Sequence, residues 1–194
     1  MPLPALPTQP SKLLPYLFEQ VEEGQRLTVF HVGPALQDTV DFFSRYRCKL
    51  HFIDLFDELP ITALEENDPS LQRQFVELLQ FPRDTQFDIC LFWDFFNFLN
   101  AEAVAAFIGS LRPYLNGSSR AHGFSVHNVK TPQSKHLYGI SQLDKISLRN
   151  RPTALPGYAP HSQSRLKELL SCFRFERSVL LPDSRLEFLL RASL

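Results

Sequence analysis

Three short apolar runs, each closed by a glycine or an aspartate and followed by a helical stripe, constrain this chain more than any other feature. Leu27-Thr28-Val29-Phe30-His31-Val32 stops at Gly33-Pro34, Lys49-Leu50-His51-Phe52-Ile53 stops at Asp54, and Phe87-Asp88-Ile89-Cys90-Leu91-Phe92-Trp93 stops at Asp94. Runs of this length without clean alternation belong to strands covered on both faces, the condition of a parallel sheet. Helical spacing separates them. Residues 37–47 place Val40, Phe43 and Tyr46 three apart, 69–79 line up Leu71, Phe75, Leu78 and Leu79, and 101–115 turn Val104, Phe107, Ile108 and Leu111 inward behind an Asn100 cap. Asn116-Gly117 reads as the terminator of that helix, and 121–127 as a further strand.

The two ends complete the pattern. Prolines at 2, 4, 7, 10 and 15 delay any helix to about Ser11, which would cap a short one over 11–22, closed by Gly24. Ser162 or Ser164 starts a last helix through Cys172. Two strands, 173–181 and 185–191, then flank the turn Leu181-Pro182-Asp183-Ser184. This order predicts an α/β fold, with an open, mostly parallel Rossmann-like sheet, helices on both faces and a C-terminal antiparallel hairpin. Residues 1–24 read as a Pro-rich N-terminal tail and helix, and 25–194 as one domain. Four prolines in 129–160 mark an irregular cap or insertion.

With 194 residues and 44% hydrophobic content, the chain suits one domain with a real core. No apolar run approaches the roughly 20 residues of a membrane helix, and the first seven residues lack a secretory signal. Cys48, Cys90 and Cys172 lie far apart with no C-x-x-C pair, so a reduced cytoplasmic location is expected. The net charge of −1 hides an asymmetry. Residues 1–119 hold 8 Lys/Arg against 16 Asp/Glu, whereas 120–177 hold 10 against 3. Within the basic part, Lys130, Lys135, Lys145, Arg149 and Arg151 face only Asp144. Such a segment either attracts an anionic partner, rests on the acidic first half or is simply solvated. Nucleic acid is not expected, because only Tyr138 and Tyr158 interleave the basic residues of the cap.

Ligands of open sheets sit beyond the carboxyl ends of the strands. That edge gathers 33–38, Asp54, Trp93, Asp94, Asn97 and His127. The residues there resemble the class I S-adenosylmethionine-dependent methyltransferase family over about 25–191. Val29-Phe30-His31-Val32-Gly33-Pro34 stands in place of the glycine-rich first motif, and Phe52-Ile53-Asp54 in place of the acidic second-strand end. The run from Phe87 to Asp94 matches the fourth strand. Leu111-Arg112-Pro113-Tyr114-Leu115-Asn116-Gly117 resembles the helix end before strand five, and Leu169-Leu170-Ser171-Cys172-Phe173 the approach to the terminal hairpin.

The resemblance implies an S-adenosyl-L-methionine site at Gly33, Pro34, Ala35, Asp54, Trp93 and Asp94, with Asp54 on the ribose hydroxyls and no metal. Asp94 and His127 are the candidate catalytic residues, and Asn97 and His127 the candidate substrate contacts. Each has a plainer reading. Asp94 either orients or deprotonates an acceptor, or takes hydrogen bonds from its own loop. Trp93 either stacks on a flat ligand or fills the core. Asn97 either reads the ligand or holds loop backbone. The chain departs from the family at His31, where an acid is usual, and at Ala35 and Gln37, where glycines are usual. Two functions follow: a methyltransferase-like protein whose acceptor, small or macromolecular, is open, or a non-catalytic descendant that binds or scaffolds through the basic 120–177 region. No pair of histidines has metal-ligand spacing, and the G-x-S-x-G, P-loop and H-E-x-x-H signatures are missing.

Overall fold

The computed structural model describes residues 6–63 and 70–194. Its elements are β1 Thr8–Pro10, α1 Leu14–Phe18, β2 Leu27–Val32, α2 Gln37–Phe43, β3 Cys48–Ile53, α3 Ser70–Leu78, β4 Phe87–Trp93, α4 Ala101–Leu111, β5 Leu115–Val126, β6 His136–Gln142, β7 Lys145–Asn150, α5 Gln163–Leu169, β8 Phe173–Leu180 and β9 Arg185–Ala192. Pro69, the expected start of the third helix, lies outside the described residues.

Six strands form the main sheet in the order β3-β2-β4-β5-β9-β8. The first four are parallel, with Val32 opposite Ile53 and Val29 opposite Ile89. β9 runs antiparallel to both β5 and β8. The expected Rossmann-like sheet with its C-terminal hairpin is therefore present. Strand alternation divides the core into two layers. Phe30 and Phe92 share one face, where Phe92 meets Phe107 of α4 at 5.8 Å and Phe107 meets Phe75 of α3 at 5.5 Å. His31, Trp93 and His122 share the other, where the hairpin β6–β7 arrives through Tyr138.

Several boundaries differ from the sequence reading. Asn100 does cap α4, accepting from the Ala103 N–H at 2.9 Å, but the α-helix ends at Leu111. Arg112–Tyr114 form a 3-10 turn containing Pro113, and β5 already begins at Leu115, opposite Phe87. Asn116-Gly117 is thus part of a strand and terminates no helix; the glycines with positive φ are Gly24, Gly33 and Gly157. α2 stops at Phe43 and buries Thr39, Phe42 and Phe43, while Val40 is exposed. α1 is only five residues and its N-cap is Leu13, not Ser11, although Ser11 Oγ accepts the Leu14 N–H at 3.0 Å. α5 starts behind Ser162 and ends before Cys172.

The cap is ordered. β6 and β7 pair as a hairpin, and β1 adds antiparallel to β7 with Thr8 opposite Ser147. Pro10 is tolerated because β1 is an edge strand. The cap packs on α2, where Thr39 Oγ1 accepts the Ile140 N–H at 3.1 Å. Gly139 is required there by space: a Cβ would meet Ser147 Oγ at 2.7 Å and Thr39 Oγ1 at 2.8 Å. Among the described residues, no helix is long and apolar enough to cross a membrane.

Candidate functional site

Three strand ends converge at one edge of the main sheet. After β2, Gly33 takes φ 124°, a backbone region that favours glycine, and its N–H donates to Ile53 O at 2.8 Å. This ties the loop after β2 to the end of β3. Pro34 is half-buried, Ala35 is exposed and Leu36 is buried ahead of α2. After β3, Asp54 is partly buried, and its Oδ1 has no hydrogen-bond partner among the described residues. Burial and neighbouring Asp57 push its carboxyl above the ordinary range, against the backbone N–H groups of Asp57 and Phe56 and the charge of Arg151.

At the end of β4, Trp93 adopts φ 50°, a left-handed conformation unusual for a bulky residue. Its surroundings hold it there. The indole Nε1–H donates to His31 Nε2 at 3.1 Å, and the ring stacks on Tyr138 with centroids 5.7 Å apart. Burial lowers His31 to about 4, so the ring is neutral and keeps the lone pair that the indole needs. That pairing accounts for a histidine where the family has an acid. The reversed backbone at Trp93 leads into Asp94, in the sparsely populated bridge region at φ −96° and ψ 17°.

Asp94 is 2% exposed, and burial raises its pKa to about 6, moderated by Arg151 and Arg185. Arg151 Nη2 stands 3.5 Å from Asp94 Oδ1. Arg151 follows β7, and its backbone N–H donates to Lys135 O at 2.7 Å, closing the base of the hairpin. Its guanidinium lies 4.4 Å from the Phe56 ring centroid and 5.6 Å from that of Phe98.

The structure thus brings Gly33, Asp54 and Asp94 to one edge and puts Trp93 in the core beneath them. Asn97 is buried in the 3-10 turn Phe95–Phe98, where its N–H donates to Asp94 O at 3.0 Å and its carbonyl accepts from the Ala159 N–H at 2.9 Å. His127 is elsewhere. It is exposed, donates its N–H to Ser184 O, and lines a 560 Å³ groove with Pro10, Lys12 and the β8–β9 turn.

Arg151 is the residue that sequence reasoning misplaced, grouped with surface cations when it is 6% exposed. Of its companions, Arg149 pairs with Asp38 at 3.6 Å, while Lys130, Lys135 and Lys145 remain exposed.

A second polar cluster has the composition of a hydrolytic triad without its connectivity. His122 Nε2 and Ser11 Oγ both bond to the same oxygen of Glu187, and no hydrogen bond joins the serine to the imidazole. His122 and Glu187 are fully buried and Ser11 nearly so. The cluster anchors the N-terminal segment to β5 and β9 and offers no accessible nucleophile. Among the described residues, no group of three or more His, Cys, Asp or Glu could hold a metal ion.

No protein-family model matches the chain, and no curated protein matches it. Solved structures do. A S-adenosylmethionine-dependent methyltransferase from Mesorhizobium loti aligns over 91% of this chain and 96% of its own, at 13% identity and TM-score 0.53. The Burkholderia thailandensis 1,6-didemethyltoxoflavin-N1-methyltransferase, crystallised with 1,6-didemethyltoxoflavin and S-adenosylhomocysteine, aligns over 94% and 78%, at 12% identity and TM-score 0.52. A S-adenosylmethionine-dependent methyltransferase from Clostridium acetobutylicum aligns over 86% and 84%, at 9% identity and TM-score 0.50. At such identities the likeness is one of fold: the chain has the fold of the class I S-adenosylmethionine-dependent methyltransferases.

Proposed function

We propose that the chain binds S-adenosylmethionine at the ends of β2 and β3 and transfers its methyl group to an acceptor covered by the β1-β7-β6 cap. The observation that carries this reading is Asp54 Oδ1, which has no donor among the described residues and stands at the strand end where the methyltransferase resemblance implies a ribose. Gly33 fits the same reading, because its conformation lets backbone approach a ligand closely.

When bound, the cofactor supplies an electrophilic methyl on a sulfonium, so the protein need only hold, align and, for a protonated acceptor, accept a proton. Asp54 would receive the ribose hydroxyls. Asp94 would take or orient the acceptor proton, and a carboxyl raised to about 6 is a base matched to neutral pH. The segment that follows the cap is tied to the turn after β4, where Ala159 and His161 hydrogen-bond to the carbonyls of Asn97 and Leu99. Free Cys48, Cys90 and Cys172 suit a reducing compartment such as the cytoplasm.

One observation favours a second reading, a non-catalytic binding protein on the same scaffold. Phe56, Phe98 and Arg151 fill the region between the strand ends, and Asp94 is already paired. Such a protein would present Lys130, Lys135 and Lys145 to an anionic partner. Calorimetric titration with S-adenosylmethionine and S-adenosylhomocysteine separates the two. The first reading expects binding that Asp54→Ala weakens by about 1–3 kcal/mol, the range for hydrogen bonds at a charged group, with an unchanged melting curve. No heat from the folded protein at millimolar ligand overturns it in favour of the second.

A further inference from the structure

Two arginines hold the cap, Arg185 partly buried and Arg151 buried, and they are built differently. Arg185 spends its donors on close bonds: Nε to Asp183 at 2.7 Å, Nη1 to the Tyr138 hydroxyl at 2.9 Å and Nη2 to Gln9 Oε1 at 2.6 Å. It joins β1, β6 and the β8–β9 turn, which is a structural task completed. Arg151 is more deeply buried and much less satisfied. Its one polar contact is the 3.5 Å approach to Asp94, and Nε and Nη1 have no partner among the described residues. A guanidinium gains most from planar, bidentate oxygen partners, and unmet donors in a buried site carry a large desolvation cost. Asp54, on whose carboxyl the charge of Arg151 acts, has no donor to its Oδ1 among the described residues. Arg151 also lies within cation–π distance of the Phe56 and Phe98 rings. Unmet donors and an unmet acceptor thus occur together among the buried and half-buried residues that follow the strand ends.

We propose that Arg151 is an anion-binding residue at these strand ends and that the ligand it takes presents a carboxylate to its unmet donors. The inference rests on the proposed function for its location. The geometry specifies the chemistry, and that chemistry has two sources: the amino-acid end of the cofactor, or a carboxylate on the methyl acceptor. A ligand carrying hydroxyl or ammonium donors next to that carboxylate would satisfy Asp54 as well. Arg151 also joins the cap to the site. Its backbone closes the base of the β6–β7 hairpin at Lys135, so an anion drawn to the guanidinium acts directly on the cap.

The test titrates the full chain, wild type and Arg151→Gln, with four probes. S-adenosylhomocysteine carries the amino-acid carboxylate, 5′-methylthioadenosine is the same adenosine without it, and benzoate and benzamide are a charged and a neutral pair. If the carboxylate is the cofactor's, Arg151→Gln weakens S-adenosylhomocysteine roughly tenfold to a hundredfold and leaves 5′-methylthioadenosine within twofold. If it is the acceptor's, both adenosyl probes are unaffected, while benzoate binds wild type in preference to benzamide and loses that preference in the variant. Arg151→Lys retains the charge near Asp94 without the fork, and it is read in place of the glutamine variant should that one fail to fold; an intermediate loss of the same probe is expected. Equal affinities of wild type and folded variants for every probe overturn the proposal, as does the absence of heat from both carboxylates at millimolar concentration. Loss of both adenosyl probes with Arg151-dependent benzoate binding would refute the cofactor reading alone and leave this one standing.

Discussion

Removing the Glu187 side chain tests whether the N-terminal segment belongs to the folding unit. The carboxylate lies fully buried in β9 and accepts from His122 Nε2 at 2.8 Å and from the Ser11 hydroxyl, with the Lys12 and Leu13 N–H groups further off at 3.4 Å. Glu187→Ala strands both close donors in a dry interior. Each lost charge-assisted bond is worth about 1.5–3 kcal/mol, and breaking a buried charged pair costs about 3–5 kcal/mol. These ranges overlap near 4 kcal/mol, a large part of the stability of most domains. For a chain of this size that lowers Tm by about 12 °C.

Glu187→Gln, which keeps one acceptor oxygen, should lose about half as much. Urea unfolding followed by the fluorescence of Trp93, the sole tryptophan, reports the change directly, since its ring lies 5.9 Å from His122. The pH dependence supplies a second check. Although burial pushes the other way, the bonds from His122, Ser11 and Lys12 hold Glu187 below its ordinary 4.5. A depressed carboxylate contributes stability that is complete above its unfolded pKa and lost as pH falls through the folded one. The gap between wild type and Glu187→Gln should therefore close below about pH 4.5. A loss under about 1 kcal/mol for Glu187→Ala would refute the reasoning.

Asp94 behaves in the opposite sense. Its pKa is raised to about 6 from 3.8 by burial, with Arg151 and Arg185 opposing the rise and Tyr138 and Tyr158 packed nearby. Its stabilising contribution is complete below 3.8 and is lost as pH rises through 6. Wild type should lose about 3 kcal/mol relative to Asp94→Asn over that interval, read from urea midpoints at pH 4, 5, 6 and 7; a constant difference would show that Asp94 titrates normally. Gly123→Ala would place a Cβ 2.8 Å from Trp93 O and 2.7 Å from Phe188 Cζ. Because one obstacle is backbone, thermal denaturation should show a loss of about 1–3 kcal/mol, and an unchanged Tm would mean that β4 and β5 can part without cost.

The main sheet was legible because each buried strand reads as a continuous apolar run and ends in a residue that cannot continue it. Phe87 to Trp93 appears in the structure with the same limits. The cap was hidden by its flanks. Pro132, Pro152, Pro156 and Pro160 suggested irregular chain, yet they stand outside the pairing, which spans 136–150. Tyr138, Ile140 and Ile146 are its buried hydrophobic side chains, a pattern too short to stand out against the prolines. Asp54 and Asp94 were legible as strand-end acids. Arg151 was not, because nothing local distinguishes it from Arg149, and its contacts with Phe56, Phe98 and Asp94 are distant in sequence.

The charge asymmetry now resolves into two physical roles. The positive segment was open to three readings, contact with the acidic first half, plain solvation or attraction of a partner, and the structure assigns residues to the first two. Arg149 and Arg151 reach back to Asp38 and Asp94, while Lys130, Lys135 and Lys145 stay in solvent. The two ion pairs are unequal. Arg149 and Asp38 have side chains 37% and 23% exposed, so salt screens their attraction and the contact contributes little. Arg151 and Asp94 are 4% and 2% exposed and beyond such screening. One end of the cap is thus held by a pair that ions in solution weaken, the other by a pair beyond their reach that protonation of Asp94, with its pKa raised to about 6, discharges. The attachment of the cap should therefore respond to pH near 6 at Asp94 and to ionic strength at Asp38.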